Sequence, residues 1–131
     1  MLLPHEIQQS VKVVSRFREL MSVEISNAGF TGGAHPYAVI LRATYSQKTG
    51  ERVDLGDLYG AASAAELLKK AEKEFEKRGM SDYYRFEPAS FSLAAAGASK
   101  VKITFSAPHA DETYRGTTLE VSVTTAAPKI K

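Results

Sequence analysis

Two histidines carry the most versatile chemistry in this sequence, and each stands among turn-forming residues. His35 follows Gly32, Gly33 and Ala34 and precedes Pro36 and Tyr37, while His109 is followed by Asp111, Glu112, Tyr114 and Arg115. If the two segments met, they could supply a metal site of two histidines and one carboxylate, or a general base beside an arginine oxyanion partner. There is no His-Glu-x-x-His signature and no histidine pair at i and i+4, so the spacing is not that of a metalloenzyme. No Gly-x-Ser-x-Gly elbow exists, and with no cysteine there is no thiol nucleophile. Asp54 and Asp57 suit a capping or turn role better than paired acid–base work. The expectation from residue types is a non-catalytic chain with no catalytic residue, no metal and no cofactor.

The elements that would hold these segments are visible in the period of the apolar residues. Residues 27–37 form a sharply shaped connection between two strand-like runs. Gly32 and Gly33 let the backbone turn at no steric cost, and Pro36 keeps His35 extended, so His35 and Tyr37 are presented in a set geometry. The segment is too short for a dinucleotide fingerprint and lacks the Gly-Lys-Ser/Thr ending of a phosphate loop, which leaves a structural turn as the simpler reading. Upstream, Ile7, Gln9, Val11, Val13, Ser15 and Phe17 line one side of an extended run. Met21, Val23 and Ile25 then alternate with Ser22, Glu24 and Ser26, the mark of a half-buried strand. Arg18-Glu19 would join the two as a hairpin.

Downstream, residues 37–46 are apolar on both faces at 39–41, which predicts a central strand covered on both sides. Lys48-Thr49-Gly50 predicts a turn and 52–55 a short returning strand. A helix is predicted over 63–78, opened by a Ser63–Glu66 capping box and closed at Gly79. Leu67, Leu68, Ala71 and Phe75 share its apolar face, and Glu66–Lys70 and Glu74–Arg78 are favourable pairs on the solvated side. Tyr83, Tyr84 and Phe86 form an aromatic cluster suited to core packing or a lid over the sheet edge, with sugar stacking as the alternative. Residues 90–95 and 100–106 predict a hairpin with Val101, Ile103 and Phe105 inward. A loop over 107–116 precedes a last strand, 117–125, with Leu119, Val121 and Val123 inward, and 126–131 reads as a frayed tail. The sum is one α+β domain spanning 1–131, a mainly antiparallel sheet of about six or seven strands with one central helix packed on one face.

Composition narrows the class of partner. A chain of 131 residues, 44% hydrophobic and 24% charged, is an ordinary globular domain. The net charge of +2 is small, and Lys and Arg are interleaved with Asp and Glu, so no nucleic-acid patch is expected. Residues 1–4 are too short for a signal peptide, and no run approaches the roughly 18 apolar residues of a membrane span.

The order of motifs resembles the RsiV-type extracytoplasmic domain, the C-terminal domain of lysozyme-sensing anti-sigma factors. Gly32-Gly33-Ala34-His35-Pro36 is similar to that family's Gly-Gly-Ala-His loop, and Gln47-Lys48-Thr49-Gly50-Glu51 to its Lys-Thr-Gly turn. Val53-Asp54-Leu55-Gly56-Asp57-Leu58-Tyr59 resembles its Leu-x-Asp-Leu-Phe lead into a helix. Phe105-Ser106-Ala107-Pro108-His109 with Tyr114-Arg115-Gly116 resembles its aromatic-Pro segment and Tyr-x-Gly step. The likeness covers roughly residues 21–124. Tyr59 stands where the family has Phe, and His109 where it often has Tyr.

The resemblance implies an α+β domain outside the cytoplasmic membrane of a bacterium (periplasmic, secreted or lipid-anchored), with its targeting segment upstream of Met1. One branch of the family binds lysozyme, and another is fused to cell-wall polysaccharide deacetylases. The expected function is therefore a non-catalytic binding domain of the cell envelope that recognises a protein such as lysozyme. The alternatives are a cell-wall glycan module binding peptidoglycan fragments and, behind it, a metal-dependent enzyme using His35 and His109. The ligand-binding residues expected are His35, Tyr37, His109, Tyr114 and Arg115, with Tyr114 a rigid aromatic anchor and Arg115 a carboxylate partner. Gly32, Gly33, Pro36, Gly50, Asp57 and Gly116 are expected to shape the backbone around them.

Overall fold

The computed structural model of the chain describes residues 5–31, 36–79, 84–108 and 118–128. Six strands and two helices follow in the order β1 (His5–Phe17), β2 (Leu20–Thr31), β3 (Pro36–Ser46), α1 (Leu55–Tyr59), α2 (Ala61–Lys77), β4 (Phe91–Ala95), β5 (Lys100–Pro108) and β6 (Thr118–Ala126). All strand pairings are antiparallel. The α+β class, the antiparallel strands and the single main helix agree with the sequence reading. The strands divide, however, into two three-stranded sheets, ordered β1-β2-β3 and β4-β5-β6.

The core lies between the second sheet and α2. Period-two alternation turns Val101, Ile103 and Phe105 of β5 and Val121 of β6 inward, and all four are fully buried. The helix meets them with Ala64, Leu67, Ala71 and Phe75, spaced three or four residues apart so that they form one stripe. Phe86 joins the layers, its ring 6.0 Å from that of Phe75 and 5.2 Å from that of Phe105. Tyr84 is buried in the same cluster, and Phe86 is partly buried against it. Burying each of the large side chains here contributes about 1.5–3 kcal/mol.

The helix begins differently from its predicted start. Ser63 lies inside α2 and exposed, and the N-cap is Gly60, which makes no side-chain cap. The capping box sits instead on α1, where the Asp54 carboxylate accepts from the Asp57 amide and the Asp57 carboxylate accepts from the Asp54 amide, each at 2.9 Å. A Ser-x-x-Glu pattern three residues into a helix looks the same as one at its start, and Gly60 decides between them. Its backbone (φ 84°, ψ 162°) lies in a region open essentially to glycine alone and breaks the chain between α1 and α2. Asp54 and Asp57 thus hold the capping role expected of them. On the solvated face Glu74 pairs with Lys77 at 3.1 Å, in place of the predicted Glu74–Arg78 pair.

Residues 52–55 form no strand. Arg52 makes one isolated bridge to Tyr45, and the chain turns at once into the Asp54 cap. The Lys48-Thr49-Gly50 turn is present, with Gly50 at φ 76° and its amide donating to the Ser46 carbonyl at 2.8 Å. The tail expected to fray from residue 126 is docked as far as Pro128. The Ala127 amide donates to the Ser99 carbonyl at 2.9 Å, Pro128 is fully buried, and Arg18 Nη1 donates to the Pro128 carbonyl at 3.3 Å.

Tyr59 ends α1 half-buried, and its hydroxyl donates to the Ala126 carbonyl at 2.8 Å. Burial disfavours the phenolate and pushes the hydroxyl up to about 12. An unfolded tyrosine ionises near pH ~10, so the contribution is present in full below that value and is lost as pH rises through about 12. We expect Tyr59→Phe to flatten the loss of stability above pH ~10 while leaving the neutral-pH melting curve within a few degrees of the parent. Equal alkaline slopes for the two proteins would rule the linkage out.

The two sheets meet across a row of hydroxyls. Ser15, Ser22 and Thr44 are register neighbours across β1, β2 and β3, and β4 runs over all three. The Leu93 amide donates to Ser22 Oγ at 2.9 Å, Thr44 Oγ1 donates to the Phe91 carbonyl at 3.0 Å, and Ser15 Oγ donates to the Leu93 carbonyl at 2.6 Å. Thr44 spends its one proton on Phe91, so in the 2.8 Å contact between the two hydroxyls Ser22 must be the donor. The result is a directed relay from the Leu93 amide through Ser22 and Thr44 to the Phe91 carbonyl, and it covers the unpaired edge of β4. Ser22 was expected on the polar side of a half-buried strand, yet it is 1% exposed, and its partner Thr44 is 0% exposed. On the apolar side of the first sheet burial is uneven. Val23 and Ala43 are buried there apart from the main core, and Val11, 64% exposed, and Val13, 43% exposed, lie at the β1 margin.

Candidate binding site

β3 is an edge strand, with β2 at the centre of its sheet, contrary to the reading of 39–41 as a central run. Its outer edge is nonetheless closed by groups that are not strands. The Ile40 amide donates to Thr118 Oγ1 at 3.1 Å and the Arg42 amide to Ser90 Oγ at 2.7 Å. The Thr44 carbonyl accepts from the Val53 amide at 2.9 Å, and the Ser46 amide donates to the Glu51 carbonyl at 2.9 Å. These partners lay β3 over the end of the second sheet where β4 and β6 begin and β5 finishes.

Arg42 is the hinge pin of that crossing. Its side chain is 6% exposed and reaches three strands at once. Nη1 donates to Ser106 Oγ on β5 at 2.8 Å, while Nη2 lies 3.2 Å from the Glu120 carboxylate on β6 and 3.4 Å from Glu24 on β2. Ser106 and Glu120 are themselves register partners, so one guanidinium holds the β5–β6 pair against the first sheet. Both terminal nitrogens are occupied by protein groups, which makes this a clamp and not an anion receptor. Its two carboxylates face water more than it does, with Glu24 26% and Glu120 56% exposed.

The clamp fixes the strand ends beside the residues that sequence singled out. β5 ends at Pro108 and β6 starts at Thr118, bracketing the segment that carries His109, Tyr114, Arg115 and Gly116. β3 starts at Pro36, directly after the segment that carries Gly32, Gly33 and His35. His35, His109, Tyr114, Arg115, Gly32, Gly33 and Gly116 lie outside the described residues. Tyr37 and Pro36 are placed by their backbone in β3, opposite Gly29 and Phe30 of β2. Among the described residues no group of three or more His, Cys, Asp or Glu side chains is placed to hold a metal ion. No buried side-chain nitrogen or oxygen among them lacks a hydrogen-bond partner.

Sequence reasoning passed over Arg42, Glu24, Glu120, Ser90 and Ser106. The signal was a lone charge within the apolar run Ala38-Val39-Ile40-Leu41-Arg42-Ala43, because a strand residue with buried neighbours must find a counter-charge. A second surface feature is a shallow groove of about 350 Å³ lined by Glu72, Phe75, Glu76, Phe86 and Pro88, between α2 and the segment leading to β4. No family model matches the chain, and no curated protein matches it. Among the described residues no helix is long and apolar enough to cross a membrane.

Proposed function

We propose that the chain is a non-catalytic extracytoplasmic binding domain of a bacterial envelope protein, and that it recognises a protein of the lysozyme class through Tyr114 and Arg115 of the segment 107–116. The observation that carries this reading is the Arg42 clamp, which together with the Ile40–Thr118 bond ties the strand ends flanking that segment to β3. A recognition loop loses less conformational freedom on binding when its two ends are already fixed, so more of its contact energy reaches the complex. Tyr114 and Arg115 are the residue types that concentrate binding energy at interfaces. Lysozyme presents a cleft lined with carboxylates, for which the guanidinium of Arg115 is a fitting partner. The resemblance of the motif order to the RsiV-type domain supplies the class of ligand and the location outside the cytoplasmic membrane.

The groove at Phe75 and Phe86 favours the second reading, a cell-wall glycan module. Aromatic carbons flanked by two carboxylates are the lining that sugar hydroxyls and ring faces use. Calorimetric titration with a c-type lysozyme, and separately with soluble muropeptides, distinguishes the two. Lysozyme should bind, and Arg115→Ala should weaken it at least tenfold, equivalent to about 1.4 kcal/mol or more. Heat from muropeptides alone would install the glycan reading instead. Stoichiometric zinc in the purified protein would replace both with a metal centre at His35 and His109, and silence in every arm would defeat the binding proposal.

A further inference from the structure

We infer that two copies of this chain pair through β1, antiparallel and centred on Gln9, to form a continuous six-stranded sheet. The reason lies in how the strand edges are finished. The edge of β3 is closed from Ile40 to Ser46 by Thr118, Ser90, Val53 and Glu51, and that of β4 by the Ser15–Ser22–Thr44 hydroxyl row. β1 is the longest strand, 13 residues, and no described residue outside β2 hydrogen-bonds to its backbone. A long open edge is a template for another strand, and chains that stay single blunt such edges with charge, proline or a short strand. Here the margin carries Val11, 64% exposed, and Val13, 43% exposed, on either side of a single cation, Lys12, with no proline anywhere in β1. The register shift between Val13 and Ser15 interrupts the regular strand, leaving 5–13 as its straight portion.

The charge pattern selects a second copy as the occupant. Lys12, Glu24 and Arg42 are register partners across β1, β2 and β3, a row of alternating sign that stops on a cation at the open edge. A strand laid alongside pairs best with an anion opposite Lys12. Antiparallel pairing centred on Gln9 joins residues whose numbers sum to eighteen, so it puts Glu6 of the second copy opposite Lys12, and by symmetry does so twice. The same register sets Val11 opposite Ile7, extending the uncharged apolar row Val11–Ile25–Leu41 across the junction. It uses only residues 5–13 and never crosses the register shift. Opposite charges directly across a strand pair favour the pairing, and like charges there oppose it.

Sedimentation velocity between about 10 μM and 1 mM should show a reversible dimer, the range in which a modest interface is populated. Lys12→Glu and Glu6→Lys, each alone, place like charges opposite each other twice and should raise the dissociation constant at least about tenfold. Mixed one to one, the two variants again set opposite charges against each other at both junctions of position 6 with position 12, and the mixture should recover the dimer. Misfolded variants could not complement in this way. Val11→Lys should also leave a monomer, with the melting temperature of the dilute parent protein. A parent that stays monomeric to 1 mM overturns the inference, as does a dimer indifferent to Val11→Lys or a mixture that fails to recover.

Discussion

Arg42→Ala is expected to lower the unfolding free energy by about 3 kcal/mol, the lower end of the range for removing one partner of a buried ion pair. Several losses combine. Ser106 loses its donor, Glu24 and Glu120 lose their shared cation, and the buried stem of the arginine leaves a void between the sheets. Water can reach both carboxylates, which are 26% and 56% exposed, and this keeps the figure from the upper end of the range. In urea the midpoint should fall by about 2 M for a slope near 1.5 kcal/mol/M. Arg42→Met fills the void without a charge or a donor, so it separates packing from electrostatics. If Arg42→Met is as stable as the parent, the clamp holds the sheets by volume and the ionic account fails.

The hydroxyl relay should yield the second large effect. Ser22→Ala removes the acceptor of the Leu93 amide in a place no water reaches, since Ser22 is 1% exposed. An orphaned buried donor costs about 1–3 kcal/mol, and the Leu93 amide should then exchange its hydrogen at least tenfold faster relative to other β4 amides. Thr44→Val keeps the shape and strands the Phe91 carbonyl, for about 1–2 kcal/mol. Together they should cost less than the sum, because the Ser22–Thr44 bond is lost only once, and a double-mutant cycle reads that coupling directly. Strict additivity would show that the two hydroxyls act independently and that the relay is not a unit.

The hydroxyl relay could not be found by pattern, and the reason is physical. Alternation in residues 20–26 assigns Met21, Val23 and Ile25 to one face and Ser22, Glu24 and Ser26 to the other, and that division is correct. Which face is covered depends on what the opposite sheet presents. Here it presents a strand edge, whose amides and carbonyls need hydroxyls rather than methyl groups, so the polar face goes inside. The same limit applies to β3, where an apolar run records coverage but not whether the neighbour is a strand, a serine hydroxyl or a loop.

The local elements were determined by the sequence itself. Alternation at Val101, Ile103 and Phe105, the stripe Leu67–Ala71–Phe75, the Lys48-Thr49-Gly50 turn and the Asp54–Asp57 cap depend on neighbours a few residues away, and each is formed in the structure. Only the tertiary structure decided that the strands split into two crossed sheets, that Arg42 joins them, and that the chain stays docked through Pro128. Those outcomes rest on contacts between residues far apart in the chain, such as Arg42 with Ser90 and Arg18 with Pro128. A sequence period carries no record of such partners, because a buried serine or arginine is chosen by the group it must satisfy across the fold.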